Sequence, residues 1–167
     1  MDEVVGIFDE QWRPAGSAPR SRVRAENLRH AATAVVLMDR GGRVYVHRRT
    51  DSKDVYPGLH DVAAGGVMQA GEEPDAAAAR ELAEELGVAG VPLESLGVAV
   101  YEDERTRYQA HCYTATSDGP VRWQAEEVAW GDWVELADLL AWVERSPADF
   151  VPDSGALLLP WLRSLQP

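Results

Sequence analysis

The chain has 167 residues, 46% hydrophobic and 26% charged, and its 28 Asp and Glu against 16 Lys and Arg give a formal net charge of −12. That composition suits one globular domain with its own core and excludes a fibrous or disordered chain. So acidic a surface repels a phosphate backbone, no apolar run approaches the roughly 20 residues of a membrane helix, and Met1-Asp-Glu-Val-Val lacks a basic secretion start, so a cytoplasmic protein that binds neither nucleic acid nor membrane is expected.

In chain order, Val4 to Phe8 and the turn-rich Asp9 to Gly16 read as a short hairpin, and Ser21 to Arg29 as a charged, helix-tolerant stretch capped by Ser21. Ala32 to Met38 and Arg43 to His47 are β-rich runs around Asp39-Arg40-Gly41-Gly42, which predicts a hairpin. Arg48 to Asp54 is a polar loop and Tyr56-Pro57-Gly58 a turn. Asp61 to Val67 reads as a short strand interrupted by Gly65-Gly66, a pair that implies close backbone approach or an unusual φ. Glu73-Pro74-Asp75 then opens a helix with Pro at its first position, Ala76 to Ala79 propagate it and Gly87 stops it.

Strands are predicted around Leu96 to Tyr101, Tyr108 to Ala115 and Val128 to Val134. Leu136, Leu139, Leu140 and Val143 repeat at helical spacing, and Asp153 to Leu165 reads as a last helix that Pro160 kinks or divides. Cys112, alone, forms no internal disulfide and holds no structural zinc by itself, so it reads as a small apolar strand residue. With no repeat and no linker, this order predicts an α/β fold with helices on a mixed sheet.

The helix ending at Gly87 carries the chemistry. At 100° per residue, Glu81, Glu84 and Glu85 fall within about 100° of arc, apart from an apolar stripe of Ala78, Ala79, Leu82, Ala83 and Leu86. Clustered carboxylates raise one another's pKa unless hard cations sit among them, and all-oxygen ligands suit Mg²⁺ or Mn²⁺. A solvated face with an Arg80–Glu84 i,i+4 pair is the plainer alternative.

The whole string Gly66-Val-Met-Gln-Ala-Gly-Glu72, seven residues, then Arg80-Glu-Leu-Ala-Glu-Glu-Leu-Gly-Val88 resembles the Nudix box, Gly-x5-Glu-x7-Arg-Glu-U-x-Glu-Glu-x-Gly-U with U bulky aliphatic, at every fixed position. The resemblance spans most of the chain. It implies a single Nudix domain over residues 1–167, with the box at 66–88 and an α/β/α sandwich around a mixed sheet. It further implies hydrolysis of a nucleoside diphosphate linked to another moiety, by water attack on phosphorus with Mg²⁺ or Mn²⁺. By the family pattern, Glu81, Glu84 and Glu85 hold metal together with the carbonyl of Gly65, Glu81 is alternatively the general base, and Glu126 or Glu127 supplies a further carboxylate from a later loop. Arg80 then braces Glu72 or a neighbouring glutamate through charge-assisted hydrogen bonds.

Asp9-Glu10, Leu28-Arg29-His30, Arg48-Arg49, Lys53 and Tyr56-Pro57-Gly58-Leu59 are similar to the branch that holds isopentenyl-diphosphate isomerases and their hydrolase-like relatives, with residues 1–30 as an amino-terminal hairpin and helix elaboration. The isomerase needs a cysteine where this chain has Gly65 and a metal histidine where it has Val67, and its box is degenerate where Arg80-Glu81 is intact here. His30 aligns with another isomerase metal histidine, with a structural role as the alternative. Hydrolysis is therefore expected, with isomerase-like chemistry and a non-catalytic nucleotide-binding domain as rivals; the latter usually loses box glutamates, and none is lost here.

Arg48, Arg49 and Lys53 form a local basic cluster suited to a substrate's distal phosphate, Arg49 and Lys53 by the isomerase-like pattern. Tyr56, His60 and Trp123 either stack on a base or pack. Asp103 stands near where ADP-ribose hydrolases carry a marker proline, and Tyr101 and Tyr108 fit the tyrosine marker of dinucleoside polyphosphate hydrolases poorly. Nucleoside di- and triphosphates, nucleotide sugars and prenyl diphosphates remain open. Six Trp residues, four of them between Trp123 and Trp142, leave both a core and a homodimer interface open.

Overall fold

The apolar residues near the amino end pair locally before the main sheet begins. In the computed structural model, which describes residues 1–167, β1 (Val4–Phe8) and β2 (Pro14–Pro19) form the expected antiparallel hairpin and lead into α1 (Arg20–Ala25). Ser21 does not cap this helix. Pro19 stands at the N-cap without a side-chain hydrogen bond, and the Ser21 hydroxyl donates instead to Asp2. Val23 packs with Val5, Ala18 and Val67, which seats the hairpin and helix on the segment that opens the box.

The main sheet contains β3 (Arg29–Met38), β4 (Val44–Arg49), β5 (His60–Asp61), β6 (Leu93–Glu102), β7 (Arg107–Thr116) and β8 (Val128–Val134). Their order is β5-β4-β3-β7-β6, with β8 on β4. β3 and β7 run parallel, in register from Arg29↔Arg107 to Met38↔Thr116, whereas the other pairs are antiparallel, so the sheet is mixed as expected.

The predicted β3–β4 hairpin closes only at Met38↔Val44 and then splays. Residues 64–67 enter the gap, through single bridges Val35↔Ala64 and Ala32↔Val67 and hydrogen bonds from Thr33 N–H to the Gly66 carbonyl (2.9 Å) and from Val35 N–H to the Ala64 carbonyl (2.7 Å). The stretch read as one strand from Asp61 to Val67 is therefore a strand only at His60–Asp61. Glycine explains the departure: a Cβ on Gly65 would land on the Thr33 carbonyl, so only a residue without one lets the two backbones lie this close.

Side chains alternate across β3. Ala32, Ala34 and Val36, with Ala110 and Cys112 of β7, face Leu139, Leu140 and Val143 of α3 (Leu136–Arg145) and Leu158 and Leu162 of α4 (Pro152–Ser164). Val35 and Leu37, with Tyr113 and Ala115, face Ala78, Leu82 and Leu86 of α2 (Pro74–Leu86) on the other side. Helices thus cover both faces, as an α/β/α sandwich requires. Pro74 and a left-handed Gly87 (φ 66°) bound α2 where the sequence placed them. Pro160 does not divide α4, which continues past it to Ser164 with Pro160 on the exposed side. No helix is long and apolar enough to cross a membrane. Of the tryptophans, Trp133, Trp142 and Trp161 pack against the core, while Trp123 and Trp130 are each 39% exposed.

Candidate active site

α2 turns its apolar stripe to the sheet, which leaves its glutamates at the mouth of the gap between β3 and β4. Arg80 organises them. Its Nε and Nη2 donate to the two oxygens of Glu72 (2.8 and 3.0 Å), and its Nη1 donates to Glu81 (2.7 Å) and Glu84 (3.3 Å). Glu72 also accepts the Gln69 N–H (2.9 Å), so the arginine ties the box loop to the helix. The bond to Glu72, with the charge of Glu81, raises the pKa of the guanidinium against the opposing effect of burial, so Arg80 stays a fixed cation.

Glu81 and Glu85 lie inward. Burial raises the pKa of Glu81 against the opposing pull of Arg80. Glu85, a residue 5% exposed, accepts the Gly65 N–H at 3.3 Å, and burial pushes its pKa up to about 7 although Lys53 pulls it down. A Cβ on Gly66 would come within 2.7 Å of the Glu81 carboxyl, so the second glycine of the pair makes room for that carboxylate. Glu84 is more open, with half of its side chain exposed. From the later loop Glu127 pairs with Lys53, whose own pKa burial and then Arg49 depress.

Glu126 does not join this group. It is exposed, and only its backbone carbonyl is engaged, by the Thr50 hydroxyl (3.1 Å). Both stand in the turn that precedes β8, and of the two candidates the structure brings Glu127 to the cleft. On β4, strand alternation separates the two arginines. Arg49 lines the cleft, its Nε and Nη2 donating to the Val55 carbonyl (3.1 and 2.9 Å). Arg48 turns away to the Gly58 carbonyl (2.9 Å) and Asp51 (3.1 Å), which corrects its assignment to the phosphate cluster. His60 is likewise spent in an aromatic cluster with Trp130, Trp142 and Phe150, and Trp123 lies outside the cleft, while Tyr56 lines it and donates to Asp103.

Two compartments result. The acidic one, about 520 Å³, is bordered by Glu81, Glu84, Glu85 and Glu127 with Arg80 and Gln124. The other, about 650 Å³ and open on one side, is bordered by Arg20, Arg24, Arg49, Lys53 and by Asp61 and Asp153 at depth. Arg20, Lys53, Gly65, Gly66 and Val67 belong to both. Sequence reasoning missed Arg20, Arg24, Asp61 and Asp153. The i,i+4 spacing of Arg20 and Arg24 on a short helix was a signal for the first two, whereas the aspartates meet only through long-range pairing.

No three acidic or imidazole side chains stand close enough to form a metal cage unaided. The donor chemistry nonetheless fits a hard divalent cation: Glu81, Glu84 and Glu85 offer only oxygen atoms beside the Gly65 carbonyl, which accepts no hydrogen bond, and a ligand's phosphate oxygens would complete a shell. Arg80 and Lys53 meanwhile offset the carboxylate charge.

Comparison with known proteins places this geometry. The family model of the NUDIX domain matches residues 28–154. An uncharacterised Nudix hydrolase of Rhodococcus erythropolis is 40% identical over 94% of this chain and 90% of its own length, and YfcD, an uncharacterised Nudix hydrolase of Escherichia coli, is 38% identical over 96% of this chain and 87% of its own. The crystal structure of DR0079 from Deinococcus radiodurans superposes with a TM-score of 0.70 at 25% identity, covering 86% of this chain and 90% of that one.

Proposed function

The chain belongs to the Nudix hydrolase family, and on that premise we propose that it hydrolyses a nucleoside diphosphate linked to another moiety, by water attack on phosphorus with Mg²⁺ or Mn²⁺. The observation that carries this reading is the shared wall of the two compartments, where Lys53, Arg20 and the Gly65-Gly66 backbone lie between carboxylates and cations. A diphosphate laid across it has its charge met from both sides.

Glu81, Glu84, Glu85 and the Gly65 carbonyl would hold the cations, which when bound polarise the phosphate and lower the pKa of a water. The chain's own residues do the rest. Arg49, Lys53 and Arg20 bind and orient the distal phosphate. Arg80 holds Glu81 in place from outside. Glu81 or Glu127 takes the proton of the attacking water; Glu127 starts paired with Lys53 and is released as an acceptor when that ammonium turns to phosphate.

Isomerisation is not favoured. The position where it would need a cysteine is Gly65, and a Cβ there meets the Thr33 carbonyl. The test is release of phosphate and nucleotide in excess Mg²⁺ or Mn²⁺ over nucleoside di- and triphosphates, nucleotide sugars and isopentenyl diphosphate, with EDTA controls. Metal-dependent cleavage of one class supports the proposal; an intact panel with retained Mn²⁺ binding favours a binding domain, and rearranged isopentenyl diphosphate favours the isomerase.

A further inference from the structure

The cationic compartment has an acidic floor that the hydrolytic chemistry does not use. The Val151 N–H donates to the His60 carbonyl (2.9 Å), and His60 and Phe150 form a parallel bridge. This stitch brings Asp61, the end of β5, beside Asp153 in the first turn of α4. Each is held by its surroundings: Asp61 accepts the Ala63 N–H (3.0 Å), and Asp153 accepts its neighbour's Ser154 N–H (2.8 Å) and the Tyr108 hydroxyl (2.7 Å). Burial raises the pKa of both, and the charge of Asp61 raises further those of Asp153 and of Glu85. Arg49, whose charge is felt at both, has its Nε and Nη2 engaged by the Val55 carbonyl.

His30 supplies an independent observation at the same floor. It is 2% exposed, stands opposite Tyr108 across the β3–β7 pairing with ring centroids 5.8 Å apart, and lines the cleft. Its Nδ1 lies 2.9 Å from the Leu28 carbonyl, which only accepts, so Nδ1 carries the hydrogen and Nε2 is a bare acceptor with no partner in the protein. Burial pushes its pKa down to about 4, so the ring is neutral at pH 7. The cleft floor therefore gathers three acceptors, the Asp61 and Asp153 carboxyls and His30 Nε2, beside the buried Thr33 hydroxyl, which has no protein partner of its own. An apolar chain buried there would strand them without partners, at a cost a hydroxyl or amino group avoids.

We propose that Asp61, Asp153 and His30 form a subsite that reads hydrogen-bond donors on the group carried by the diphosphate, either sugar hydroxyls or the amino edge of a base, and excludes a prenyl chain. The inference rests on the diphosphate reading above and narrows it. Unlike the phosphate cations, these residues discriminate between substrates that share a diphosphate.

The test is calorimetric titration in excess Mg²⁺ with cytidine 5′-diphosphate, its 2′,3′-dideoxy analogue, uridine 5′-diphosphate, isopentenyl diphosphate and inorganic pyrophosphate, with hydrolysis followed in parallel and KM used wherever a compound turns over. Cytidine 5′-diphosphate is expected to bind about tenfold or more tightly than isopentenyl diphosphate. Asp61→Asn and Asp153→Asn are each expected to lose about tenfold for the nucleotide and nothing for pyrophosphate. A loss confined to the dideoxy analogue assigns the donors to the sugar, and a loss confined to uridine 5′-diphosphate assigns them to the base. Isopentenyl diphosphate binding as tightly as the nucleotides, variants that bind like the wild type, or no organic diphosphate binding at all would overturn the subsite. Thermal melting checks that the variants fold, and the wild-type series decides the matter without them. Donor-dependent binding without cleavage refutes the hydrolase reading alone; cleavage without donor preference refutes the subsite alone.

Discussion

Glu85 shows how one residue's burial becomes measurable. Its pKa stands at about 7 against an ordinary 4.5 because desolvation penalises the charge more than Lys53 relieves it. A folded value above the unfolded one means that folding favours the protonated form: the side chain costs nothing below pH 4.5 and increasingly destabilises the fold as pH rises through 7. Glu85→Gln should therefore raise thermal stability above pH 7, by on the order of 1–3 kcal/mol, with the gain vanishing toward pH 4.5. A variant that melts lower than the wild type at alkaline pH would show that contacts of the ionised carboxylate outweigh its burial.

The two glycines beside it separate fold from chemistry. At Gly65 an added methyl meets backbone, so Gly65→Ala should cost about 3 kcal/mol or more in thermal melting. At Gly66 it meets the end of the Glu81 side chain, which can move aside. Gly66→Ala should thus keep most of its stability and lose on the order of 10²-fold in turnover, because Glu81 is displaced by about 1 Å. Equal losses of stability in the two variants would contradict this division.

At the scale of elements, α2 was legible because its signals are local: Pro74 at its start, an alanine run, a stripe toward the sheet and Gly87 at its end. The β3–β4 hairpin was legible only at its turn. Its splaying depends on the insertion of residues 64–67, a long-range event that hydrophobic patterning does not encode. The glycine pair hinted at close approach without saying to what. Arg48 and Arg49 differ in placement because neighbouring strand residues face opposite ways, and which one faces the cleft follows from register rather than residue type; Glu126 and Glu127 are separated by the turn before β8, whose path residue type does not encode either. Pro160 misled for another reason: tertiary packing of Leu158, Leu159 and Leu162 holds α4 together across a residue that cannot donate to the preceding turn. Since Pro160 itself is exposed, Pro160→Ala should stabilise the protein by about 1–3 kcal/mol, read as a higher melting temperature. A lower one would mean that packing of the ring contributes more than its break in the helix costs.

The whole molecule sets a net charge of −12 against a few cations gathered at one cleft. Arg20 and Arg24 come from α1, Arg49 from β4, Lys53 from the loop after β4 and Arg80 from α2, so the basic patch exists only once the amino-terminal hairpin is stitched on by the Val5↔Gln69 bridge. The mixed sheet with helices on it could be read from the order of strand-like and helical runs along the chain. The box glutamates could be read from spacing. The acidic floor of Asp61 and Asp153 could not, since ninety-odd residues and a β-bridge to Phe150 separate cause from position. On the proposed reading the cleft would take a polyanion that brings or meets divalent cations, which would make the acidic surface and an anionic substrate compatible.

The most direct test of that assembly is the rate of metal-dependent hydrolysis by Glu85→Gln against the wild type, on whichever diphosphate the panel identifies and at a pH above 7. Loss of on the order of 10²–10⁴-fold in kcat, with the fold intact by melting, is the predicted result. Turnover within a few fold of the wild type, equally sensitive to EDTA, would contradict it and move the reacting centre away from the glutamates of α2.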